Sequence, residues 1–197
     1  TLTAEQKPNI NANSFKSNAN DKATKVDANN LTTEQMTELS LYASDLLNQI
    51  RERFGTPKTV VTKGMVKVAD EVTDGYVDDG WEYGKGHDNK AVNNVARKYG
   101  LPTYEDDTHQ YIENLNSINS GDEIHNMDDA KKWVYTSIIE MMFTDWEWEH
   151  AQNLAGLSSA GANKEYLGVD VSSRLGRTSA HFLTVSDKQV SGNKLDK

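Results

Sequence analysis

"LGVDVSSRLGRTSAHFLTV", residues 167–185, changes the period of the chain and so decides its class. Leu167, Val169 and Val171 alternate with polar residues, and Ala180, Phe182 and Thr184 alternate again. Strict alternation puts one set of side chains on one face of a strand. Leu175–Gly176 lies between the two runs, which predicts a β-hairpin.

Upstream of the hairpin the period is helical. Thr32 and Gln35 fit a capping box, and Leu39, Ala43, Leu46, Leu47, Ile50 and Phe54 then form one stripe, stopped by Gly55 and Pro57. A second helix is expected from Lys63 to Tyr76 through Met65, Val68, Ala69 and Val72. A third runs from Asn89 to Tyr99, with Gly100 as its C-terminal turn. The strongest begins near Asp128, where Ala130, Trp133, Val134, Ser137, Ile138, Met141 and Met142 recur at three- and four-residue steps. Helices first and strands last argue for an α+β domain, helices packed on a small antiparallel sheet.

The boundaries follow from composition. Residues 1–30 are rich in Asn, Lys, Asp, Ser and Thr and read as a polar linker or N-terminal arm. Residues 31–187 form the domain, and 188–197 read as a polar tail. The net charge of −9 argues against nucleic-acid or anionic-membrane binding, since phosphate recognition needs clustered Lys and Arg. No apolar run is long enough to span a bilayer. The absence of cysteine removes disulfides, thiolate metal sites and cysteine nucleophiles.

Chemistry must come from histidines and acids. In "DWEWEHAQNLAGL", residues 145–157, Glu147 and His150 are three apart and share a helix face. Spacing alone reads as a surface ion pair beside Trp146 and Trp148, and the sharper reading is a metal ligand or general base. His87 follows Gly84 and Gly86 just before a helix, where a histidine caps the helix, faces solvent or points into a cleft. Glu113 lies among Ile112 and Leu115, so it has a histidine or backbone partner, or faces water at a strand edge.

The order "GHD", "ARKYGL", "YIENL", "MDDAKKWVYTSIIEMMFTD", "EHAQNLAGL", "LGVDVS" and "HFLTV" resembles one family. It is similar to the surface-exclusion domain of Gram-positive cell-wall-anchored proteins, a divergent CAP-superfamily (cysteine-rich secretory protein-like) domain. The likeness spans roughly residues 32–187. It implies a CAP-like α-β-α sandwich whose cleft is lined by His87, Glu113 and His150, with His87 and His150 as candidate ligands for zinc or another divalent cation. Glu113 is then the candidate catalytic residue. Ile112 stands where the family has glycine, and Thr136 where it has a second glutamate. Glu147, Glu149 or Glu140 are the acids near enough in sequence to substitute. The resemblance implies an extracellular binding domain of a longer cell-wall-anchored chain, acting in adhesion or in surface exclusion during conjugation. Its partner would be a host or bacterial cell-surface ligand, without nucleic acid or membrane insertion. The alternative is a metal-assisted hydrolase or protease using the same cleft.

Overall fold

A computed structural model describes residues 14–119, 123–144 and 148–197. In chain order these form α1 (Ala19–Ala23), α2 (Thr33–Phe54), β1 (Thr59–Val61), α3 (Lys63–Asp78), α4 (Asn89–Tyr99), β2 (Glu113–Asn119), α5 (Met127–Phe143), α6 (Trp148–Leu154), β3 (Glu165–Arg174) and β4 (Arg177–Ser186). No described helix is long and apolar enough to cross a membrane.

The helices start where side chains can satisfy the first free N–H groups. Thr32 and Gln35 make the reciprocal capping box at α2, while Thr62, Asp88 and Asn126 cap α3, α4 and α5. Gly55 and Gly100 end α2 and α4 at φ +65° and +71°, a left-handed conformation that favours glycine.

The hairpin is present, and its Leu175–Gly176 turn has φ +51° and +73°, the positive pair of a tight two-residue connection. It is the centre of a four-stranded sheet in the order β1-β3-β4-β2. The expected antiparallel pairing holds for β2, β4 and β3, and β1 adds a strand parallel to β3, with Thr59 opposite Glu165. Three residues carry too little pattern to reveal such a strand.

Both sheet faces are covered, which gives the α-β-α sandwich. On one face Leu167, Val169, Val171, Ala180 and Phe182 pack with α2, α5 and α6. On the other Tyr166, Leu183 and Val185 pack with α3 and α4. Gly168 lets α3 lie close against the sheet, since a Cβ there would meet the Met65 carbonyl oxygen at 2.0 Å.

The polar ends are attached to the domain. In the arm, Ser17 and the Asn18 N–H donate to Asp128, Val26 N–H donates to the His125 carbonyl, and Ala28 is buried in the core. In the tail, Ser191 N–H donates to the Gly100 carbonyl, Gly64 N–H donates to the Asp196 carbonyl, and Leu195 is buried beside α3. Residues 1–13 lie outside the described structure.

Candidate functional site

Glu113 opens β2, and its carboxylate is completely buried. Three side chains donate to it. Tyr76 Oη of α3 reaches Oε1 at 2.5 Å, His87 Nδ1 reaches the same oxygen at 2.7 Å, and His181 Nδ1 of β4 reaches Oε2 at 2.8 Å. Burial alone would raise the carboxyl's pKa, but the hydrogen bonds and charges of His181 and His87 hold it well below the ordinary carboxylate range. Glu113 is therefore an ionised acceptor, and each imidazole that meets it donates from Nδ1.

Tyr76 is fixed in turn. Its hydroxyl accepts the Asp88 N–H at 2.9 Å, and its ring stands edge-on to His181 with centroids 4.9 Å apart. Burial first, then the Glu113 charge, push this phenol far above its usual pKa, so it stays a donor. Asp88 caps α4 through the Ala91 N–H, which places His87 at the mouth of the helix with its side chain 27% exposed. Burial, partly offset by that N–H, pushes the Asp88 carboxyl up to about 6.

Asn114, the next residue of β2, points to the opposite face of the sheet. Its Oδ1 accepts from His150 Nδ1 at 2.9 Å. Its Nδ2 donates to Asn153 Oδ1 at 2.6 Å, and Thr184 Oγ1 donates to the same oxygen at 3.3 Å. Arg51 anchors this side. Its fully buried guanidinium donates to the Leu154 carbonyl at 2.9 Å and the Asn153 carbonyl at 3.1 Å, and pairs with Glu165 at 3.2 Å. The cation thus sits at the C-terminal end of α6, where the helix dipole favours it. Burial first, then the nearby His87, hold His150 below the usual imidazole pKa, which keeps it neutral near pH 7.

The structure thus brings His87, Glu113 and His150 together from three distant segments. The His87 and His150 rings lie 6.2 Å apart between centroids, tilted by 43°. His87 and His150 are the side chains of the cleft that could hold a divalent cation, imidazole being a usual zinc ligand. Among the described residues no group of three or more His, Asp or Glu side chains converges as a metal site.

The other acids are elsewhere. Glu140 accepts from Asn116 at 2.8 Å, further along β2, and Glu149 is exposed. Glu147 and Trp146 lie outside the described residues. Trp148 is 64% exposed and lines an apolar groove of about 440 Å³ between α2 and α5. The groove's lining includes neither His87, Glu113 nor His150.

His181 is the site residue that sequence reasoning missed. Its signal was the strand alternation itself. With Ala180 and Phe182 on one buried face, His181 must face the other, and a buried imidazole needs a partner. Glu113, an acid among apolar neighbours, was the complement.

No protein-family model matches the chain, and no curated protein matches it. Among solved structures it is similar to the CAP domain of enterococcal PrgA, with 23% sequence identity and a TM-score of 0.78, over 99% of this chain and 85% of that one. The α-β-α arrangement expected from the scattered motifs is thereby shown, and the fold is the one that this CAP domain has.

Proposed function

We propose that the domain is a binding module of a Gram-positive bacterial surface protein, acting outside the cell in adhesion or in surface exclusion. Its cleft takes a divalent cation through His87 and His150. The observation that carries the cation reading is the neighbouring pair of imidazoles, each with Nδ1 held by a protein oxygen. Metal-binding histidines are oriented in this way, which fixes the tautomer that turns Nε2 to the metal. The fold shared with an enterococcal CAP domain supports the bacterial surface setting. As the domain of a longer wall-anchored chain, it would meet a host or bacterial surface ligand. Bound there, zinc would supply an electrophile and open positions for water or a ligand group.

The hydrolase alternative gives Glu113 the part of general base. Its three donors argue against that part, because a base must be able to take a proton at a working pH. Glu113 fits the role of orienting His87 better.

Two measurements test the proposal. Zinc at about 100 times its Kd should stabilise the domain by about 2.7 kcal/mol, a Tm rise of roughly 5–10 °C. His87→Ala combined with His150→Ala should abolish that rise. A wild-type domain whose Tm is unmoved by zinc, cobalt or manganese ends the cation reading. The labelled domain should also be retained on Gram-positive cell walls or on host extracellular matrix, and retention on neither ends the adhesion and exclusion reading.

A further inference from the structure

We propose that His181 is a positioning residue of the cleft: by holding the second oxygen of Glu113, it locks that carboxylate onto His87 and so fixes which nitrogen His87 presents to His150. The inference rests on the reading of His87 and His150 as the cation-binding pair.

The geometry carries it. Glu113 Oε1 receives Tyr76 and His87, while Oε2 receives His181 from the neighbouring strand, at 2.8 Å. A carboxylate held at both oxygens cannot turn about its terminal torsion, so Oε1 stays on His87 Nδ1. His181 is fully buried in a central strand, opposite Leu115 of β2 and Asp170 of β3, and so has no freedom of its own. Its ring also packs edge-on to Tyr76, the second donor to Glu113. One rigid imidazole therefore sets the acceptor and steadies the phenol beside it. With Nδ1 protonated against Glu113, a neutral His87 carries its lone pair on Nε2, the nitrogen a cation needs. Remove the His181 donor and Glu113 is fixed from one side only. His87 then relaxes toward the mixture of tautomers that a free imidazole adopts.

A purely structural His181 would fill the sheet–helix interface and leave His87 unaffected. Two readouts separate the roles in the intact domain. Long-range proton–nitrogen spectra of histidine-labelled protein report the His87 tautomer without any metal, and competition with a chelator reports zinc affinity. The wild type should show His87 protonated at Nδ1. His181→Phe, which keeps a ring but loses the donor, should mix the His87 tautomers and weaken zinc about 10- to 100-fold. His181→Gln, which keeps an N–H donor, should recover most of both.

A His181→Phe domain with the wild-type tautomer and zinc affinity would overturn the proposal, as would a His181→Gln domain that behaves like it. If His181→Phe does not fold, His181→Gln and Tyr76→Phe decide. Tyr76→Phe removes the other donor but leaves Oε2 held, and should keep the His87 tautomer. A mixed His87 tautomer in Tyr76→Phe would overturn it, because Oε2 is still held by His181 there. The tautomer spectra need no ion, so failure of wild-type zinc binding would sink the cation reading and still leave His181's part decided.

Discussion

Glu113 and Asn114 are neighbours on one strand, yet they serve opposite layers of the sandwich and hold their histidines by different chemistry. Glu113 turns toward α3 and α4 and grips His87 with a charge. Asn114 turns toward α5 and α6 and grips His150 with a neutral amide. Strand alternation makes this possible, since consecutive side chains leave the sheet on opposite faces. Two imidazoles from separate layers are thus brought around the sheet edge to within 6.2 Å. Burial first, then the nearby His87, hold His150 below the usual imidazole pKa.

The largest expected effect comes from making the two sides alike at Glu113. Glu113→Gln keeps the shape but sets an amide against three donors, two of which face a single oxygen. Losing one partner of a buried, hydrogen-bonded charge cluster costs about 3 kcal/mol, a Tm fall of roughly 6–12 °C at pH 7. The folded-state pKa of Glu113 is depressed, so its contribution is present above the unfolded value of 4.5 and lost as pH falls through the folded one. The wild-type advantage should accordingly shrink in acid. Scanning calorimetry at pH 7 and pH 3 checks both, and equal Tm values at pH 7 would mean that Glu113 is not a clamped anion.

What the sequence disclosed, and what it hid, follows the same division between pattern and partner. Thr32 with Gln35, Gly100 and Leu175–Gly176 act within a few residues of chain, so α2, the end of α4 and the hairpin were legible. The parallel partner of β1 lies more than 100 residues away, and Thr59–Val61 is too short to show a period. Residues 14–30 are attached mainly through polar bonds to α5, such as Lys131 Nζ to Asp21 at 2.7 Å, which hydrophobic patterning cannot register. In the candidate site, motif order pointed to His87, Glu113 and His150, which the structure places near one another. It overlooked His181, whose meaning depends on which face of β4 meets α3. The anchoring of α6 by Arg51 was equally hidden, because its acceptors are mostly main-chain carbonyls.

A smaller effect should come from Asp170, which sharpens the contrast within a single face. Asp170 is the strand partner of His181 and is as buried as Glu113, but no cation pairs with it in the way the histidines pair with Glu113. Burial pushes its carboxyl up to about 8, although the Val171 N–H and Thr73 pull the other way. The folded state therefore keeps a proton that the unfolded chain releases above 3.8. Its contribution is full below that value and is lost as pH rises toward 8. Asp170→Asn retains an oxygen for the Val171 N–H and removes the titration. It should match the wild type at pH 4 and have the higher Tm at pH 8. A constant difference between the two pH values would show that Asp170 is ionised in the fold.

The gentlest change gives the His150 side the charge of its neighbour. Asn114→Asp would place a carboxylate against His150 Nδ1, with Asn153 turning its amide to donate in place of accepting. Opposite charge within hydrogen-bond reach favours the protonated ring, so the His150 pKa should rise by about 1–2 units while the fold changes little. Proton NMR titration of His150 reads this directly, and the exposed His125 provides the internal control. An unmoved His150 would mean that the Asn114 contact does not set its basicity. A rise at His150 would show that the Asn114 position tunes its imidazole from the strand that both layers share.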